Sequence, residues 1–156
     1  MTTPQSRVLI LACGNTLRSD DGVGPWLADW AEQHFASQPE IRVISRQQWT
    51  PDLAEDIAHA ESVLFIDCSV ESAPGSIRIQ QVQPSESQQG LATHHQSAAE
   101  LLALTHNLYN SEPKNAQLLT IGATNTELGE TLSSAVTAAL PNACIAIERT
   151  VRAWFQ

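Results

Sequence analysis

Residues 7–13, Arg-Val-Leu-Ile-Leu-Ala-Cys, form an almost unbroken apolar run of strand length that stops at Gly14-Asn15. A strand with one face in water alternates apolar and polar side chains. A run without alternation is buried on both faces, as in the interior of a parallel sheet covered by helices. From Gly22 to Phe35 the apolar residues Val23, Trp26, Leu27, Trp30 and Ala31 recur at three- and four-residue spacing, behind an acidic pair that suits a helix N-terminus. The chain therefore opens with strand, loop and amphipathic helix.

The unit repeats. Ile41 to Ile44 reads as a strand, and Thr50-Pro51-Asp52 as an N-cap followed by proline at the first helical position, with Leu53 and Ile57 facing the core. Ser62 to Asp67 is a second apolar run, ending in a carboxylate. Ser72-Ala73-Pro74-Gly75 turns the chain into residues 76–82, whose alternation predicts a strand near an edge. Residues 83–93 read as a long surface loop leading to His94 and His95. A helix then starts near Ser97, with Ala98, Leu101, Leu102 and Thr105 on one face. The strand Leu118 to Gly122 follows, and the helical C-terminal part is expected to break or restart at Pro141, with Cys144, Ile147, Val151 and Trp154 inward. The four tryptophans fit core positions better than stacking platforms. Alternating strands and helices predict one domain over residues 1–156, an α/β fold: a three-layer α/β/α sandwich on a mostly parallel, roughly five-stranded sheet, with its ligand site at the strands' carboxyl ends.

Composition narrows the function. With 42% apolar and 16% charged residues in 156, the chain is globular and sized for one core. No apolar run is long enough to cross a bilayer, and the polar Met1 to Arg7 does not read as a secretory signal, so a cytoplasmic location is expected. A formal charge of −9, with no offsetting Lys/Arg cluster, argues against nucleic acid as a partner. Cys13, Cys68 and Cys144 are too few and too far apart for a disulfide framework, and Cys144 reads as core.

The residues with chemical potential gather at one edge. If strands 7–13 and 62–67 are parallel neighbours, Asp20, Asp21 and Asp67 emerge together, and the loop bearing His94 can close over them. Two carboxylates and an imidazole suit a first-row divalent ion such as nickel or zinc, which polarises a carbonyl or activates water. Each group also has a plainer explanation. Asp20 and Asp21 can cap a helix, and His94 and His95 can be a solvated pair. Asp67 is harder to dismiss, because an acid closing a buried strand costs solvation unless it is bound or lies in a cleft. Cys13 and Cys68 flank the acids but read as small apolar residues rather than nucleophiles. His34, His59 and His106 read as surface or boundary residues. Gly14 and Gly22 lack the spacing of a dinucleotide fingerprint, and no phosphate-loop lysine is present.

Gly14-Asn15-x-Leu17-x-x-Asp20-Asp21-Gly22-x-Gly24-Pro25 resembles the opening signature of the nickel-iron hydrogenase maturation proteases. Asp67, the turn Pro74-Gly75, the segment His94, Ser97, Glu100 and Leu102, and Ile121-Gly122 with Glu127-Leu128-Gly129-x-x-Leu132-Ser133-x-x-Val136 extend the resemblance over most of the chain. It implies a phosphorylase/hydrolase-like fold and an endopeptidase that removes a C-terminal extension from a hydrogenase large-subunit precursor after nickel insertion. By the same resemblance Asp21, Asp67 and His94 contact the metal, with His95 the second choice for the histidine. Gly14, Asn15, Asp20 and Gly22 support the loop, Asp20 at the helix start. Nickel then arrives with the substrate, and no organic cofactor is implied. A metal-binding accessory protein that binds the precursor without cutting it is the alternative.

Overall fold

The computed structural model describes residues 6–86 and 96–156. The first apolar run is strand β1 (Ser6–Cys13), followed by a short 3-10 turn (Ser19–Gly22) and helix α1 (Val23–His34). Next come β2 (Ile41–Arg46), α2 (Leu53–Ala58), β3 (Ala60–Ser69) and β4 (Ile77–Gln81). The described chain ends with α3 (Ala98–Tyr109), β5 (Asn115–Gly122) and α4 (Ser134–Ala153). The strands lie in the order β2-β1-β3-β5-β4, all parallel except β4, which runs antiparallel to β5 at the edge.

The lack of alternation in β1 has the predicted cause. Val8, Ile10 and Ala12 pack with Val23, Leu27, Ala28 and Ala31 of α1 and with Val136, Ala143 and Ile147 of α4. Leu9, Leu11 and Cys13 pack on the opposite face with Leu53 and Ile57 of α2 and Leu101 and Leu102 of α3. Fully burying a side chain such as Leu9 or Leu11 stabilises the fold by roughly 1.5–3 kcal/mol. A one-residue register slip would exchange the two sets, so the packing also fixes the register, Ala12 beside Ile66 and Cys13 beside Arg46. Among the described residues no helix is long and apolar enough to cross a membrane.

Some local expectations are corrected. Helix α4 runs through Pro141 without a break. Pro141 is exposed while Val136, Leu140, Ala143, Ile147 and Val151 are buried, so the proline's missing N–H falls on the water side and the buried stripe holds both halves together. Thr50 does not cap α2: its hydroxyl donates to the Asp52 carboxylate, and the helix starts at Leu53 after a turn. Strand β4 is at the edge as predicted, with Ile79 42% exposed while Ile77 packs against the α1/α4 core. Trp26 is 42% exposed rather than core, whereas Trp49 is buried against Phe65. Cys144 is only partly buried, at the margin of the α1/α4 layer. His34 and His106 pair with Glu148 and Glu112 at the surface, as their helical positions suggested.

The α1 N-terminus lies against β1 so closely that a Cβ on Gly24 would sit 2.1 Å from the Cys13 carbonyl oxygen. Backbone cannot yield as a flexible side chain does. Gly24→Ala is therefore expected to destabilise the protein by about 1–3 kcal/mol, read as a lower urea midpoint with an unchanged slope.

Candidate functional site

Strand β1 ends at Gly14, whose φ of +152° and a Cβ position only 1.9 Å from the Asp21 carbonyl oxygen leave room for glycine alone. The Gly14 N–H donates to the Arg46 carbonyl of β2, which fixes the mouth of the loop. The Asn15 side-chain oxygen accepts the Leu17 N–H at 2.9 Å, a local turn that aims the Asn15 N–H at Asp21 Oδ2, 2.7 Å away. Gly14 and Asn15 thus serve to hold the Asp21 carboxylate in place.

Asp20 does a different job from the one its position suggests. It is fully buried, and its carboxylate accepts the backbone N–H groups of Thr124 at 2.8 Å, Asn125 at 3.1 Å and Ser133 at 2.7 Å. It therefore pins the β5–α4 loop and the N-cap residue of α4 to the β1–α1 loop; support of its own helix start is not its role. Burial by itself would raise its pKa. The bonds from Ser133, Thr124 and Asn125 outweigh that and hold it below the ordinary value of 3.8. Ser19, at φ 50°, is held in this unusual conformation by its N–H to Gly129 and its hydroxyl to the Glu127 carbonyl.

Asp67 lies two residues before the end of β3, at the carboxyl edge of the sheet beside β1, so the expected meeting of Asp21 and Asp67 occurs. Its Oδ1 accepts the Cys68 N–H at 2.8 Å. Cys68 joins them: its Sγ donates to Asp21 Oδ1 at 3.2 Å, and one donor atom each from Asp21, Asp67 and Cys68 lies within 4.8 Å of the others. Consecutive strand residues point to opposite faces, so Asp67 and Cys68 straddle the sheet edge and both reach the cleft. Burial, followed by the hydrogen bond to Asp21 and the charges of Asp21 and Asp67, pushes the Cys68 thiol far above its ordinary value. Burial and then Asp67 do the same to Cys13. Both are neutral thiols at physiological pH, so neither is a ready thiolate nucleophile. His94 and His95 lie outside the described residues.

These groups open into a cleft of about 330 Å³ lined also by Arg18, Gln47, Gln48, Val70 and Thr126. Arg18 is the cation among the described lining residues, and Gln47-Gln48 enter from the end of β2. The sequence carries no motif that marks these residues; their place at strand ends is the only signal. Apolar side chains flank the cleft on three loops. Leu17, Val70 and Leu128 are 53%, 71% and 82% exposed, and the Gly129 N–H to Leu17 carbonyl bond at 3.0 Å brings the first and last loops side by side.

Sequence comparison does not reach this chain: no family model matches it, and neither does any curated protein. Solved structures do. The hydrogenase maturating endopeptidase HybD from E. coli is similar with a TM-score of 0.76 at 20% identity, over 94% of this chain and 92% of that one. The fold is that of the hydrogenase maturation endopeptidases. A [NiFe] hydrogenase maturation protease HybD from Thermococcus kodakarensis is similar with a TM-score of 0.63 at 25% identity, over 92% of this chain and 98% of that one. The HycI protease of the same organism gives a TM-score of 0.72 at 17% identity, over 96% and 95%.

The Asp20 contacts generate a prediction with a definite sign. Asp20→Asn sets an amide N–H₂ against backbone donors and is expected to cost about 3 kcal/mol at neutral pH. Because the folded carboxyl titrates below its unfolded value of 3.8, its contribution is fully present above that value and is lost as the pH falls through the folded one. The gap in urea midpoint between wild type and Asp20→Asn therefore narrows on acidification below pH 3.8.

Proposed function

We propose that this chain is an endopeptidase that removes the C-terminal extension of a nickel-iron hydrogenase large-subunit precursor after nickel insertion. Asp21, Asp67 and His94 recognise the nickel. The observation that carries this reading is the convergence of Asp21, from the turn after β1, and Asp67, from the last residues of β3, each carboxylate oriented by a backbone N–H, in a cleft at the carboxyl edge of the sheet. The likeness to maturation endopeptidases over 94% of the chain supports it.

In this reading the metal belongs to the substrate. Asp21, Asp67 and His94 would hold the nickel of the precursor, which would supply Lewis acidity toward the neighbouring peptide or its attacking water. A precursor without nickel lacks that contact and is rejected, so recognition also sets the timing of cleavage. Backbone hydrogen bonds to Asp21 and Asp67 reduce the reorganisation needed when the ion arrives. The exposed Leu17, Val70 and Leu128 suit a polypeptide substrate, whose apolar side chains they would cover. The reaction belongs in the cytoplasm and uses no organic cofactor.

The direct experiment incubates the protein with nickel-loaded and with nickel-free precursor and follows the mass of the large subunit. Loss of the extension from the loaded form alone is the expected result; cleavage of both forms, or of neither, overturns nickel gating. Stable binding without any change of mass would instead make the chain an accessory protein. Asp21→Ala, Asp67→Ala and His94→Ala are each expected to lower the processing rate by about 100-fold or more with little change in thermal stability.

The apolar flank gives a separate test. Leu128→Asp is expected to raise KM for the precursor by roughly tenfold at similar kcat, because burying a leucine contributes about 1.5–3 kcal/mol and the side chain is remote from the acids. An unchanged KM would remove Leu128 from the substrate surface.

A further inference from the structure

We propose that Cys68 is itself a metal ligand, so that the site presents a sulfur donor beside the carboxylates of Asp21 and Asp67 and selects a thiophilic ion such as nickel over a hard cation. The inference rests on the proposed metal recognition by the two acids and deepens it. Nothing in the sequence singled Cys68 out, since a cysteine at the end of a buried strand is ordinarily a small apolar residue.

The geometry makes the case. Sγ of Cys68, one oxygen of Asp21 and one of Asp67 lie within 4.8 Å of one another, the separation of donors around a common ion after small side-chain adjustments. The three come from two segments 46 residues or more apart in sequence, 21 and 67–68, which meet because β1 and β3 are neighbours. All three are half-buried, and the cleft lining includes all of them, so an ion entering from solvent meets the three donors together.

The hydrogen bonds already in place define the pose. Asn15 N–H restrains Asp21 Oδ2 and Cys68 N–H restrains Asp67 Oδ1, so the carboxylates cannot turn away from the thiol. The Cys68 S–H donates to Asp21 Oδ1, 3.2 Å away, so sulfur and carboxylate already face one another, and a cation held by both would take the place of that proton. On coordination the S–H bond breaks heterolytically, the electron pair stays on sulfur and is donated to the ion, and the proton passes to water. No electron is gained or lost by the metal.

Donor chemistry then sets selectivity. Carboxylates alone accept magnesium and calcium readily, whereas a thiolate beside them favours later first-row ions. Cys13 does not share this role. Although it borders the cleft, it is 2% exposed, packs on the α2/α3 face, and is not among the three donors that lie within 4.8 Å of one another.

The test uses the isolated protein with cobalt(II) or nickel(II) alone, so that no precursor thiolate contributes. Wild type and Cys13→Ala are expected to develop a thiolate-to-metal charge-transfer absorption that magnesium does not suppress. Cys68→Ala and Cys68→Ser are expected to lose that band and to bind the ion roughly tenfold or more weakly. The serine variant keeps a hydroxyl that can hold Asp21, so it separates ligation from positioning. Absence of the band in wild type, or wild-type affinity in Cys68→Ser, overturns the proposal. Nickel-gated processing by wild type and by Cys68→Ser would show in that case that the proposed function stands without sulfur; loss of gating in wild type would show that the parent reading has failed.

Discussion

The buried carboxylate of Asp20 is the interaction on which the working end of the molecule depends. A carboxylate withdrawn from water is tolerated only where hydrogen bonds replace its hydration, and here three backbone N–H groups do so. Those donors belong to the β5–α4 loop and to the N-cap of α4, while Asp20 belongs to the β1–α1 loop. A single side chain thereby closes the two ends of the fold onto one another and leaves its neighbour, Asp21, facing the cleft. In the pair Asp20-Asp21, adjacent residues of identical chemistry are divided between structure and site by which of them finds backbone donors.

The layers beneath this edge serve as a rigid support. Strands β1 and β3 are buried on both faces, so neither can tilt or slip without moving two sets of packed side chains. Their carboxyl ends are consequently reliable places to mount Asp67, Cys68 and the Gly14 turn. The close approach of Gly24 to Cys13 continues that support into α1. Rigid strands below and a hydrogen-bonded loop pair above give the carboxylates a fixed direction.

Electrostatics and surface character complement the geometry. Two acids and Arg18, the cation among the described lining residues, share the cleft, and Leu17, Val70 and Leu128 on the surrounding loops are exposed. The raised thiols next to the acids are poor nucleophiles in the free site.

Much of the architecture was legible from local pattern alone. Unbroken apolar runs announced strands buried on both faces, three- and four-residue spacing announced the helices, and an acid at the end of each of two such strand units placed Asp21 and Asp67 at one edge. Periodicity is a property of neighbouring residues, so sequence suffices for it. Pro141 misled the reading because the cost of a proline depends on whether its missing N–H faces water, which only the orientation of α4 decides. The role of Asp20 and the approach of Cys68 to Asp21 lay out of reach for the same reason: their partners are 104 to 113 and 47 residues away. Such contacts exist only once the sheet order has brought β1, β3 and β5 together. The sequence by itself determined which elements form and which acids sit at their ends; the tertiary structure decided which acid is buried, which is presented, and that a sulfur stands beside them.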